Sequence, residues 1–168
     1  SMLSLSEAMV SRVQSLYARF RDLREGVNAE IRAAVGNINS LATQLAQVND
    51  RIAAAGSDGN QLPNDLLDQR GYLVSQLNAQ VKVTAVPQSD GTLNVVGGAV
   101  LGLDATASPD DPANLELALV TDSATIPLPS SIFQGGKLGG LLAFRDQTLD
   151  KAQNTFGRLV TTLAQTFN

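Results

Sequence analysis

The chain has 168 residues, of which 43% are hydrophobic and 17% charged, and its net charge is −4. This length and hydrophobic share suit one domain, or one domain with an insertion, and argue against wholesale disorder. The acidic balance argues against a nucleic-acid partner, because phosphate contact needs uncompensated positive charge. The absence of cysteine and histidine excludes disulfides, thiolate metal sites and the common nucleophile–base pairs. No apolar run is long enough to span a membrane.

Residues 5–55 contain no proline and repeat apolar residues every seven positions, which predicts one long helix. A second apolar row begins at Leu16 and Leu23 and continues one position later from Ile31. A straight helix drifts about 20° per heptad against a strict seven-residue repeat, so this slip indicates a nearly straight helix. A kink near Gly26 is the alternative.

Two further helices are predicted. Residues 64–80 follow a short turn-forming loop, which makes this second helix an antiparallel neighbour of the first. The third covers residues 138–167, where apolar residues again recur every seven: Leu142, Leu149, Phe156 and Leu163.

Between these helices the period changes to that of strands. An Asp90-Gly91 hairpin is predicted first, then strands at Ala99–Leu103, Leu115–Val120 and Ala124–Leu128, with Asp104–Asn114 as a loop. The predicted fold is therefore mainly α: a long antiparallel bundle of coiled-coil-like helices with a small antiparallel β insertion. The bundle comprises residues 3–80 plus 137–168, and the insertion residues 81–134.

The sequence contains no convincing catalytic or ligand-binding motif. Asp146 and Asp150 are four residues apart on a helix, but a carboxylate pair alone does not make an acid–base site. The glycines at 135–140 resemble a phosphate loop only superficially, because Leu138 stands where Mg²⁺ binding needs Ser or Thr. One acidic set could offer oxygens to Ca²⁺ but lacks EF-hand spacing: Asp104, Asp110, Asp111 and Glu116. We expect no catalytic residue, no cofactor and no metal.

Three stretches resemble a known family. They are Pro-Asn-Asp-Leu-Leu-Asp-Gln-Arg at 63–70, the run 86–95 around Asp-Gly-Thr-Leu-Asn-Val, and Gly-Gly-Leu-Leu-Ala-Phe-Arg-Asp at 139–146. In this order they are similar to the first hook-associated protein family of bacterial flagella, whose members form the hook–filament junction. Gly71 departs from the family pattern, since relatives often carry a polar or charged residue there.

The resemblance implies a structural part that joins hook to filament as a ring of copies. It further implies contact with the hook protein and a neighbouring hook-associated protein, a cytoplasmic export chaperone, and export through the flagellum's own channel without a cleaved signal. It also implies that the chain is a fragment, the first portion of a helical domain. Flagellin and the second junction protein share the long-helix design, but residues 64–70 favour the first hook-associated protein. A coiled-coil binding module, such as an adhesin or secretion-effector fragment, is the alternative.

Helix lengths predict an uncovered surface. At about 1.5 Å per residue the first helix spans roughly 75 Å, the second about 25 Å and the third about 45 Å. The lower end of the first helix is then left with an apolar stripe: Met9, Val13, Leu16, Phe20 and Leu23. We expect self-association through residues 9–27 or fraying of that end, with helices from a missing C-terminal portion covering the stripe in the intact protein.

Overall fold

The first helix, α1, runs without interruption from Met2 to Ser57. The structure is a computed structural model that describes residues 2–57, 63–82, 84–89, 93–96, 102–121 and 123–167. A helix of 56 residues is roughly 84 Å long. It continues through the exposed Gly26 and Gly36, each of which costs about 1 kcal/mol of helix propensity relative to alanine. The predicted long helix over 5–55 is confirmed.

The second helix, α2, runs from Asn64 to Gln80 and packs on the upper part of α1. Its buried side chains are Leu66, Leu73 and Leu77, which repeat at helical spacing and face α1. The predicted bounds of this helix are confirmed. Residues 58–62 of the loop between α1 and α2 lie outside the described residues.

The described part of the β region forms two antiparallel sheets. β1 (Thr84–Pro87) pairs with β2 (Leu93–Val96), and the Asp90-Gly91 turn predicted between them lies outside the described residues. β3 (Gly102–Ala107), β4 (Leu115–Val120) and β5 (Thr125–Leu128) form a second sheet in that order. The strand predictions at β4 and β5 are confirmed to within one residue.

The third strand corrects the sequence prediction. It was expected at Ala99–Leu103 with a loop from Asp104. Residues 99–101 lie outside the described residues, and β3 runs from Gly102 through Ala107, which pairs with Leu115. The polar and small residues of this segment carry little strand signal. Pairing with the apolar β4 nevertheless extends the ladder through them, because sheet formation depends on cross-strand neighbours more than on local propensity.

The last helical run is not one regular helix. A 3₁₀ turn at Ser130–Ile132 leads to α3 (Gly136–Phe144), a π-helical turn (Arg145–Leu149) and α4 (Asp150–Phe167). The prediction of a single helix over 138–167 is right in extent but missed the π turn. A π turn accommodates an extra residue, and here it accompanies the burial of Arg145 and Leu149.

One hydrophobic core joins the helices to the second sheet. Its members come from α1, α2, α3 and the strands, and the sheet contributes Leu103, Leu115 and Leu117. The mainly α fold with a small antiparallel β insertion is confirmed. The division of the chain at 81–134 stays a prediction. Within the described residues, no helix combines the length and apolarity that a membrane span requires.

Candidate interaction surface

Burial divides α1 into two halves. Every described side chain from 4 to 23, the lower half, is exposed or half-buried. The upper half, residues 24–57, buries a side chain at nearly every turn from Arg24 to Ile52. An amphipathic helix is stabilised when other elements pack on its apolar side. The apolar side of the lower half is therefore only partly covered.

The helical run from α3 to α4 crosses α1 diagonally. In α3, Lys137 Nζ lies 2.6 Å from Glu30 Oε2. In α4, the ring of Phe156 packs against Tyr17 and Phe20, with ring centroids 5.1 and 5.8 Å apart. At about 100° per residue, Phe20 and Tyr17 point roughly 80° and 140° away from Glu30 around α1. The helical run therefore contacts the side of α1 that carries Glu30 near residue 30, and the side that carries Tyr17 and Phe20 nearer the amino end.

A continuous row of residues lies on the side of α1 that α4 does not cover. It repeats with spacings of four and three, which keeps its members on one side of a helix. We name it the α1 ridge, and it consists of Arg12, Leu16, Arg19, Leu23, Gly26 and Glu30. Leu16 is 41% exposed and Leu23 is 51% exposed. Beside Gly26 lies a shallow groove of about 570 Å³, lined also by Arg19, Asp22, Leu23, Val27, Glu30 and Leu141.

The predicted apolar stripe is split by this arrangement. Met9, Val13 and Phe20 are half-buried, whereas Leu16 and Leu23 are exposed. Sequence periodicity placed all five on one surface, and the structure shows a contact with α4 for Phe20, through Phe156. The role of the stripe in self-association stays a prediction.

Arg24 fastens α4 to α1 at the boundary between the halves. Its Nη2 atom donates to Asp150 Oδ1 and to Gln153 Oε1, each at 2.7 Å. The Arg24 side chain is 11% exposed, so this ion pair is screened less than one on the open surface. Asp150, considered from the sequence as half of a carboxylate pair, is here a structural acceptor.

Arg145 connects the π turn to the second sheet. It is buried, and its Nη1 atom donates to the carbonyl oxygen of Leu115 in β4 at 2.7 Å. Its Nε atom donates to Asp146 Oδ1, and Asp146 Oδ2 accepts from Ser130 Oγ, both at 2.7 Å. The carboxylate of Asp146 therefore orients the guanidinium. The Arg-Asp pair that ends the stretch 139–146 is a structural link between bundle and sheet.

Asn39 takes the place of a neighbouring strand at the edge of β3. Its Nδ2 atom donates to the carbonyl of Leu103 at 2.7 Å, and the amide of Leu103 donates back to Asn39 Oδ1 at 2.9 Å. A primary amide offers the same donor and acceptor as a peptide group, so it satisfies part of an otherwise open sheet edge. Sequence reasoning missed this contact, because nothing in the spacing of Asn39 distinguishes it from a solvated amide.

Two of the glycines within residues 135–140, Gly136 and Gly139, lie where a side chain would not fit. Gly135 and Gly136 have φ of 72° and 66°, in the left-handed region that favours glycine. A Cβ atom on Gly136 would lie 2.5 Å from the carbonyl carbon of Gln80 at the end of α2. A Cβ on Gly139 would lie 2.8 Å from the carbonyl oxygen of Phe133. Gly136 therefore allows α3 to start against the end of α2, and Gly139 allows α3 to pack on the backbone of Phe133 and Gln134.

Two acidic residues of the β region accept local hydrogen bonds. Asp104 Oδ1 accepts from the Ala105 amide at 2.8 Å, and Glu116 Oε1 accepts from Ser108 Oγ at 2.6 Å. Among the described residues, no cluster of three or more histidine, cysteine, aspartate or glutamate side chains could hold a metal ion.

Comparison with known proteins identifies the family. The profile described as "Flagellar hook-associated protein FlgK helical domain" matches residues 1–168. The whole chain aligns with flagellar hook-associated protein 1 of Salmonella typhimurium at 37% identity, and with that of Escherichia coli at 36%. It covers 32% and 33% of those proteins, so the chain spans about a third of their length.

A solved structure agrees with this assignment. The flagellar hook junction protein FlgK of Burkholderia pseudomallei superposes with a TM-score of 0.79 and 38% sequence identity. The similarity covers 92% of this chain and 30% of that one. A profile match over every residue, full-length sequence similarity and a common fold agree with one another. The chain therefore belongs to the family of the flagellar hook-associated protein FlgK helical domain.

Proposed function

We propose that this chain is a structural part of the bacterial flagellum, at the junction between hook and filament, and that it acts without catalysis. The match of the family profile to residues 1–168 carries this proposal. The related structure from Burkholderia pseudomallei, described as a flagellar hook junction protein, supports it.

The geometry suits the transmission of mechanical load. α1 is a single helix of 56 residues, in which each turn is held by hydrogen bonds along the axis. Its upper half is packed against α2, α3 and the second sheet. Asn39 and Arg145 anchor that sheet, and Arg24 anchors α4. A force applied along α1 is therefore shared with every other described part of the core.

The partners that we propose follow from the family. They are other copies of the chain's parent protein in a ring, the hook protein, a neighbouring hook-associated protein and an export chaperone in the cytoplasm. We propose a location in the external flagellum, reached through the flagellar secretion channel without a cleaved signal.

A chimera tests the junction role. In a Salmonella strain lacking hook-associated protein 1, the third of that protein that aligns with this chain is replaced by residues 1–168. We expect the chimera to restore attached filaments and swimming, because the two segments share the same domain fold. Filaments are counted by electron microscopy and swimming is measured in soft agar.

Two controls make the result decisive. Secreted chimera is quantified in the medium, so that failed export is distinguished from failed assembly. A matched chimera carrying Ile38→Asp, which places a charge in the core, is expected to fail. If the unmodified chimera is exported and folded but filaments do not attach, the proposed function is wrong and a general coiled-coil binding module becomes the better reading.

A further inference from the structure

The outer edge of β3, which faces away from β4, has two of its amides occupied. The side chain of Asn39 bonds to both the amide and the carbonyl of Leu103, so this residue faces away from β4. Because the backbone groups of successive strand residues point to opposite sides, Ala105 and Ala107 lie on the same outer edge. The amide of Ala105 donates to Asp104 Oδ1 at 2.8 Å. This edge therefore offers an added strand at most the amide of Ala107.

The outer edge of β5 is interrupted by a proline. In the register of the sheet, Leu103 lies opposite Leu119, and Leu119 lies opposite Ile126. Since Leu103 faces away from β4, the backbone groups of Leu119 face β5 and those of Ile126 face β4. Thr125 and Pro127 therefore face outward. Proline has no N–H, so this edge offers an added strand at most the amide of Thr125.

An open sheet edge pairs readily with the edge of another copy, because it presents unpaired N–H and carbonyl groups. Residues 125–127 are exposed, so a second copy can reach the edge of β5. In a twofold antiparallel pair of β5 strands, Thr125 lies opposite residue 127 of the other copy. Such a pair exchanges a hydrogen bond in each direction. Proline at 127 removes one of the two and leaves the Thr125 carbonyl without a donor.

We propose that Pro127 is a specificity-determining residue that keeps the edge of β5 from pairing with the same edge of a second copy. Asn39 protects the opposite edge of the sheet by occupying Leu103. The need for this protection rests on the proposed function, which places copies side by side in a ring. The protection itself is a property of the isolated chain and is measured there.

A single substitution opens the edge of β5. Pro127→Thr restores the N–H and introduces a residue that favours strands. Sedimentation velocity of the 168-residue protein compares its association constant with that of the wild type, and we expect a rise of about tenfold or more from the recovered hydrogen bonds. Association through the apolar stripe contributes equally to both proteins. Amide exchange in residues 125–128 should slow as the protein concentration rises, which locates the new contact at β5.

A second substitution at the same position guards against an effect of the threonine side chain. Pro127→Ala restores the same N–H with a smaller change of shape. It should raise association in the same direction but less strongly, because alanine is a poorer strand residue than threonine. The thermal midpoint of both variants should stay close to that of the wild type, since position 127 is exposed.

Two controls separate the sheet edge from a general loss of proline. Pro112→Thr changes an exposed proline in the loop between β3 and β4, and it should leave association unchanged. The double variant Thr125→Pro with Pro127→Thr keeps the composition of the wild type and moves the proline to the other outward position. It should associate no more than the wild type. A proline is tolerated there because residue 125 is the first of the strand.

The proposal is supported if only the two single variants at position 127 associate more strongly and their β5 amides exchange more slowly. It is overturned if neither variant associates more than the wild type, or if association rises without slower exchange in β5. Equal association of Pro112→Thr or of the double variant would overturn it as well. The measurement requires neither export nor filament attachment, so its failure is distinct from a failure of the chimera.

Discussion

The two halves of α1 are parts of one helix with similar apolar spacing, yet they differ in what covers them. In the upper half, Ile31, Ile38 and Ile52 are almost fully buried. In the lower half, α4 approaches on one side through Phe156, and the α1 ridge stays open. Heptad spacing thus fixes which side of a helix is apolar, whereas the number of neighbours decides whether that side forms a core or a surface available for binding. Mutations that act on one half should leave the other unaffected.

The largest effect is expected when the β region is removed. Replacing residues 82–134 by a short Gly/Ser linker deletes four side chains from the core of the upper half: Leu103, Leu115, Leu117 and Phe133. Burial of each contributes about 1.5–3 kcal/mol, so the free energy of unfolding should fall by roughly 6 kcal/mol or more. The ends of the segment are adjacent, since Gly136 packs on Gln80, so a short linker can close the gap. Circular dichroism should still show a cooperatively melting helical protein.

Loss of all helical signal in that variant would contradict the division of the chain at 81–134. Hydrogen exchange in residues 4–23 provides the internal control. It should match that of the complete protein, because the second sheet packs on the upper half.

A pair of truncations compares the halves directly. Ile38→Ala should lower the free energy of unfolding by about 2–5 kcal/mol, because it opens a cavity at a side chain that is 1% exposed. Leu16→Ala, on the exposed ridge, should change it by less than about 0.5 kcal/mol. Both values come from urea unfolding at low protein concentration, where monomers dominate. Equal losses at the two sites would show that the lower half is as well packed as the upper.

The link between bundle and sheet is tested at Arg145. Arg145→Met removes the donor to the Leu115 carbonyl and leaves that buried acceptor without its partner, which should cost about 2 kcal/mol. Arg145→Lys keeps one charged donor and should lose less. Urea unfolding gives the two energies, and faster hydrogen exchange in β4 should accompany the larger loss. A fully neutral Arg145→Met would mean that the packed leucines alone hold the sheet.

A smaller loss than at Arg145 is expected where α4 meets the lower half. Phe156→Ala removes a half-buried ring that contacts Tyr17 and Phe20, so the loss should be about 1.5 kcal/mol, below that of a core phenylalanine. Amide exchange should speed up in α4 and in residues 4–23, while residues 27–52 stay protected. Tyr72→Ala, an exposed aromatic residue on α2, is the control and should change neither measurement. Faster exchange throughout α1 would contradict the independence of the two halves.

The sequence alone determined the helices, four of the five strands and the fold class. The seven-residue repeat predicted α1 and the helical run from α3 to α4, because backbone hydrogen bonds and an apolar side act locally, within a few turns. The turn-forming loop before residues 64–80 marked the start of α2. The change to the period of strands placed β4 and β5. The seven-residue repeat also located the apolar stripe on α1, since the side of a helix on which a residue lies depends only on its position in the chain. The family resemblance came from short stretches that are likewise local.

Only the tertiary structure decided how those elements meet. No spacing in the sequence predicts that Asn39 hydrogen-bonds to the edge of β3, or that Arg145 donates to the carbonyl of Leu115. Nor does it predict that β3 extends to Ala107. Each depends on a partner more than ten residues away or on a neighbouring strand. The crossing of α1 by α4 belongs to the same class. The division of the predicted stripe into half-buried Phe20 and exposed Leu16 follows from that crossing, because burial is a property of the pair of helices and not of either alone.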